Sequence, residues 1–332
     1  MSLVTSARSA PGQASDGAAR APSPRPFARG VVVSCPGYGE IWGSDAMRDA
    51  VRELKRLGVE WIQIHPYARI DRSGQISFRP AAQRAYMERA VQIVRSEGLQ
   101  LFIKPHLSYW GSFTWRGAIT FDTDAAWAQF FDGYRAFILD QARFARDHGV
   151  PALAVGTELE QAVRFEDRWR SLIAEVRQIY DGHLTYAANW DGLERVEFWD
   201  ALDSIGVQAY FPMGDRSSSR AALERRWVGV LDELRGLSIR WDRPVVFAEI
   251  GYTRSVDAAA RPWEPERQSS PEAIRVRTQL ADIALEHASE APFVLGMFWW
   301  KWIPGWSWSQ RDFSMRDPEM KALLEKHWGE SS

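Results

Sequence analysis

The chain predicts an α/β fold, a single-domain (β/α)8 or TIM barrel. Short apolar runs alternate with helical segments eight times between residues 29 and 328. Several runs end in a polar or charged side chain, as strands that feed a barrel mouth do. No Gly-rich dinucleotide fingerprint follows the first strand, which weighs against a doubly wound sheet.

Residues 1–28 are Ala, Ser, Pro, Gly and Arg with almost no large apolar side chain, and read as a disordered leader before a catalytic barrel over 29–332. The leader lacks the apolar stretch of a signal peptide. Secretion and a cytoplasmic location both stay open. Strands are expected at Gly30–Ser34, Val59–His65, Leu99–Pro105, Ala152–Thr157, Leu184–Asn189, Ser204–Tyr210, Val245–Gly251 and Phe293–Trp299. Between them the expected helices are Asp45–Leu57, Pro80–Glu97, Asp124–His148, Glu160–Tyr180, Leu193–Ala201, Ser219–Arg240 and Pro271–Ser289, with a last one at Pro318–Trp328. Asp124 is placed to cap the third helix, whose apolar face runs Trp127, Phe131, Tyr134, Ile138. Gly149 ends that helix, since Gly tolerates a left-handed turn. Ser270 and Pro271 open the seventh with a capping hydroxyl and a first-turn Pro.

At 332 residues the chain can build one large core plus extensions. A net charge of −2 points to neither a nucleic-acid surface nor an acidic tail. The single cysteine, Cys35, excludes an intrachain disulfide framework and a Cys-rich metal site. No apolar run approaches the roughly 20 residues of a membrane span. Without a His-x-His pair, a His-Glu-x-x-His helix or an acidic calcium loop, no metal or cofactor is expected.

Two strands share one design. Pro244–Tyr252 and Pro151–Glu158 each open with Pro, run apolar, and carry a carboxylate near the end. An unpaired carboxylate is costly to bury, so Glu249 and Glu158 either find a partner or open into a cleft. A pair of glutamates at one barrel mouth meets the needs of glycoside hydrolysis: one protonated acid and one ionised group that attacks or activates water. Gly156 and Ala154 are expected to leave room beside Glu158.

Ten of the 17 tryptophans fall in the segments at and after the strand ends: Trp42, Trp110, Trp115, Trp190, Trp263, Trp299, Trp300, Trp302, Trp306 and Trp308. Indole faces stack on sugar rings, although any one of them can equally roof the core. Other strand-end side chains read as substrate contacts are Lys104, His106, Asn189 and Tyr210. Lys104 either reaches the mouth or is paired. Tyr210 is placed to hold the Glu249 carboxylate and favour its ionised form. His65 fits the core as well as a site, Arg69 fits a pair with Asp71 or Glu40, Asp191 fits a helix cap, and Lys301 fits a cation–π contact.

The motifs Lys104-Pro105-His106, Gly156-Thr157-Glu158-Leu159, Phe247-Ala248-Glu249-Ile250-Gly251-Tyr252 and Phe298-Trp299-Trp300 resemble, in order and spacing, those of clan A glycoside hydrolases, most closely glycoside hydrolase family 113. The resemblance covers about residues 29–328. It implies a retaining β-1,4-mannanase acting on mannan or glucomannan without a cofactor, with Glu158 as acid/base and Glu249 as nucleophile. Many clan A enzymes place Asn before the acid/base to bind the substrate 2-hydroxyl. This chain has Thr157 there, with Asn189 as the alternative donor. Substrate contacts are expected from Trp42, Lys104, His106, Trp110, Asn189, Trp190, Tyr210, Trp299 and Trp300. The expected partner is a glycan only, with no nucleic acid or membrane, and the protein a monomer. Two other readings stay open: a β-glycosidase for another β-linked glycan, and a carbohydrate-binding pseudoenzyme on the same barrel.

Overall fold

A computed structural model describes residues 27–266, 269–305 and 312–329. The leader assigned to 1–28 lies outside them except for Phe27 and Ala28, and Ala28 already opens the first strand. Eight parallel strands close into a barrel. In chain order they are β1 (Ala28–Val33), β2 (Trp61–Ile64), β5 (Gln100–Ile103), β7 (Ala152–Thr157), β8 (His183–Asn189), β9 (Ser204–Gln208), β10 (Val245–Ile250) and β11 (Val294–Trp302), and β11 pairs with β1 to close the ring. Their inner face is stratified. Val32, Phe102, Ala152, Ala154, Val246 and Phe298 fill one apolar cluster. Gln63, Lys104, Gln208 and Glu249 are buried polar residues of the same strands or their ends, and form one linked network. The outer strand faces join the helices in the main core.

Strands two and three start later than expected, at Trp61 and Gln100, and end sooner, at Ile64 and Ile103, where each runs toward a proline. Pro66 and Pro105 cannot donate to a ladder. Beyond them the chain forms a second sheet of β3 (Tyr67–Ile70), β4 (Ile76–Ser77) and β6 (His106–Ser108), which sequence alone did not reveal. His106 N–H donates to Pro66 O at 2.9 Å, which joins the two.

The helices are α1 (Asp45–Arg56), α2 (Pro80–Ser96), α3 (Asp124–Asp147), α4 (Glu166–Ile179), α5 (Arg220–Trp241), α6 (Pro271–Glu290) and α7 (Pro318–Trp328). Thr123, not Asp124, caps α3, its hydroxyl accepting from Ala126 N–H at 3.2 Å. Ser270 caps α6 as expected. Gly149 takes a φ of 55° after α3. The expected helix at Leu193–Ala201 is two short 3-10 turns, Leu193–Arg195 and Trp199–Ala201. Phe198 and Trp199 are both buried there. Among the described residues no helix is long and apolar enough to cross a membrane.

Candidate active site

Glu249 is the last residue but one of the apolar strand β10, at the barrel mouth, and is 5% exposed. Such a carboxylate needs donors. Lys104, on the residue that follows β5, donates from Nζ to Oε2 at 2.6 Å. Gln208 Nε2 donates to the same oxygen at 3.1 Å, and Tyr210 Oη donates to Oε1 at 2.5 Å. Lys104 Nζ also reaches Gln208 Oε1 at 3.0 Å and Ala248 O at 3.1 Å, so its protons are occupied. Burial opposes ionisation of Glu249, but the Lys104 charge and the hydrogen bonds from Lys104, Tyr210 and Gln208 outweigh it and hold the carboxyl below the usual carboxylate range.

Glu158 follows β7 with a φ of 55°, a left-handed conformation costing roughly 1–3 kcal/mol for a residue with a Cβ. Neighbours hold it there: its N–H donates to Ala187 O at 2.9 Å, and the next N–H, of Leu159, donates to Tyr186 Oη at 2.9 Å. The register of β7 on β8 shifts between Ala154 and Thr157, so simple alternation fails. Gly156 does not leave space beside Glu158. A Cβ there would meet the Tyr186 ring at 2.6 Å and Trp169 at 2.9 Å. Thr157 is buried, donates to Pro105 O at 3.2 Å and does not line the cleft. The partner of the Glu158 carboxylate is Arg116, with Nη2 at 2.8 Å and Nε at 3.1 Å from Oε2. Arg116 lies in the loop after β6 and carried no sequence signal. A lone arginine in a long loop reads as solvated until the fold brings it to a strand end.

Both carboxylates line one cleft of about 630 Å3. Its walls include Tyr109, Trp115, Trp190, Trp263 and Trp300, with Arg116, Glu160, Asn189, Asp191 and Tyr210 supplying polar edges. Trp190 and Trp263 stack with centroids 6.0 Å apart and planes at 23°. Of the expected substrate contacts, the cleft therefore brings together Asn189, Trp190, Tyr210 and Trp300. Asn189 donates to Glu160 Oε1 at 3.0 Å.

Other expected contacts are placed differently. Trp42 is fully buried and donates from Nε1 to Val33 O, so it belongs to the core. Trp299 is 1% exposed on the outer face of β11, against Tyr252, and is likewise a core residue. Lys104 is occupied by Glu249 and does not open to the cleft. His106 is buried, stacked on His65 at 4.9 Å and 6.4 Å from Trp300, behind the cleft wall. Burial and the nearby cationic side chains Arg116 and Lys104 pull its imidazole well below the ordinary histidine range, which keeps it neutral. Trp110 is exposed and packs on Tyr109 and Tyr67, beside the cleft rather than in its wall. Lys301 lies 4.8 Å over the Trp300 ring, the cation–π contact expected of it. Trp306 and Trp308 lie outside the described residues. No group of three or more potential metal ligands occurs among the described residues.

Residues 36–315 match the model of Glycoside Hydrolase Family 113. A GH113 β-1,4-mannanase structure superposes with a TM-score of 0.81 at 22% identity, covering 92% of this chain and all of the other. The GH113 β-mannanase AaManA from Alicyclobacillus acidocaldarius, in complex with ManMIm, gives 0.80 at 24% identity, covering 91% and 97% of the two chains. A family 5 mannosidase from Rhizomucor miehei gives 0.59 at 11%, covering 91% and 92%. No curated protein matches the sequence.

Proposed function

This chain belongs to glycoside hydrolase family 113, and we propose that it is a retaining hydrolase of β-1,4-linked mannan, glucomannan or manno-oligosaccharides, with Glu249 as nucleophile and Glu158 as acid/base. The observation that carries the reading is the pair of carboxylates brought from two strand ends to one aromatic cleft. Glu249 is buried among fixed donors that favour its ionised form. Glu158 faces the same cleft from another strand end.

The donors also divide the work between the oxygens of Glu249. Oε2 accepts from Lys104 and Gln208, which fills both of its lone pairs. Oε1 accepts only from Tyr210, so one lone pair is left to attack the anomeric carbon. As the C1–O bond to the leaving sugar breaks, Glu158 gives that oxygen its proton. Water then attacks C1 of the glycosyl-enzyme while Glu158 takes a proton from it, and the bond to Glu249 breaks. The indole faces of Trp190, Trp263 and Trp300 offer surfaces for sugar rings.

The test is to incubate the protein with mannan, glucomannan and cellulose oligosaccharides and follow products by chromatography and by NMR of the first-formed anomer. Manno-oligosaccharides released as the β-anomer, and lost in Glu249→Ala, support the reading. An α-anomer as first product rejects retention. Cleavage of a different β-glycan only moves the substrate, and binding without cleavage favours the pseudoenzyme.

A further inference from the structure

We infer that Arg116 is a positioning residue for Glu158: it pins Oε2 and thereby makes Oε1 the oxygen that delivers and recovers the proton. The inference rests on the acid/base reading of Glu158 and adds to it a group and an atom. Both guanidinium nitrogens that reach Glu158 approach the same oxygen: Nε donates to Oε2 at 3.1 Å, and Nη2 forms an ion pair with it at 2.8 Å. Oε1 makes no hydrogen bond among the described residues.

The consequence follows from charge and donor count. A guanidinium has donors and no acceptor. A proton on Oε2 would sit against the cationic group and compete with the Nε–H for that oxygen. With the proton on Oε1, Oε2 is the carbonyl oxygen and faces the guanidinium as an acceptor only. The same contacts serve the carboxylate once the proton has gone. Arg116 therefore holds one geometry through both half-reactions. In the first, Oε1–H passes its proton to the glycosidic oxygen as C1–O breaks and Glu249 bonds to C1. In the second, Oε1 takes a proton from water as the water oxygen bonds to C1 and Glu249 is released.

Among the described residues no other side chain hydrogen-bonds the Glu158 carboxylate. Thr157 is turned to Pro105 O, and Asn189 is engaged by Glu160. Arg116 itself is mounted firmly. Its guanidinium lies 5.6 Å over the Tyr109 ring, and its side chain is 12% exposed. It opens a 3-10 turn, Arg116–Ala118, in which the Trp115 ring packs over Gly117, so that a Cβ there would meet the indole at 2.0 Å and displace it.

The experiment compares two substrates in Arg116→Ala, Arg116→Lys and Glu158→Ala. Mannotetraose has a poor leaving group and needs the acid. 2,4-Dinitrophenyl β-mannobioside does not. For Arg116→Ala, kcat/KM on mannotetraose is expected to fall about 100-fold, the scale of a general acid's contribution. On the dinitrophenyl substrate kcat/KM is expected to stay unchanged, while kcat falls and is restored by azide, which needs no base. Arg116→Lys keeps the charge and recovers part of the loss. Equal losses on both substrates, or no loss on mannotetraose, overturn the inference. If Glu158→Ala separates the two substrates and neither Arg116 variant does, the role of Arg116 alone is wrong. If Glu158→Ala does not separate them, the acid/base assignment is wrong.

Discussion

A buried carboxylate stays ionised only where donors outweigh its lost hydration, and Glu249 owes its state to Lys104 before any other residue. Three outcomes follow at this scale. Glu249→Ala is expected to lower turnover roughly ten-thousand-fold or more, as loss of a nucleophile does, with the far-UV circular dichroism spectrum unchanged. Tyr210→Phe removes one hydrogen bond to a charge, about 1.5–3 kcal/mol, so kcat/KM is expected to drop between about 10-fold and 100-fold. Lys104→Met leaves the Glu249 charge buried and less compensated, at about 3–5 kcal/mol, which denaturant unfolding at neutral pH would read. The sign with pH is fixed by the direction of the shift. A carboxyl held low contributes stability above its unfolded pKa, and that contribution is lost as pH falls through the folded value. Without Lys104 burial prevails, so the acid limb of kcat/KM is expected to move to higher pH.

At the scale of elements, caps and ends decided how far a sequence pattern could be read. Ser270 and Pro271 mark the start of α6 because hydroxyl and ring act on the backbone within one turn. Ser270→Ala is expected to cost about 1 kcal/mol in thermal or denaturant unfolding. The start of α4 was legible only in part. An expected start at Glu160 gives way to one at Glu166, because Glu160 is drawn to Asn189 and Arg195 at the mouth. Arg277 on α6 forms an ion pair with Asp317 at the cap of α7, both nearly fully buried, and also donates to Ser314 O;. Arg277→Ala strands the Asp317 charge and is expected to destabilise by about 3–5 kcal/mol, with little change in KM.

At the scale of the whole molecule, the cleft is a product of barrel closure. Trp190 follows β8 and Trp263 lies in the loop after β10, yet they stack at one mouth. Trp263 is 44% exposed, so Trp263→Ala is expected to leave the melting temperature nearly unchanged while KM for manno-oligosaccharides rises several-fold, on the scale of about 1 kcal/mol for an aromatic face. The sequence by itself determined the eight barrel strands and all the helices but the one expected at Leu193–Ala201, the two glutamates at strand ends and the Tyr210 hydrogen bond to Glu249, because these follow from local apolar period and from the cost of burying a charge. It did not separate wall from core among the tryptophans: Trp42 and Trp299 have the same composition signal as Trp190 and Trp300, and only their packing tells them apart. Nor did it foresee the pairing of Lys104 with Glu249 or of Arg116 with Glu158. These join residues 145 and 42 positions apart, and a hydrogen bond depends on distances of a few tenths of an ångström that the closed barrel sets and no local pattern encodes.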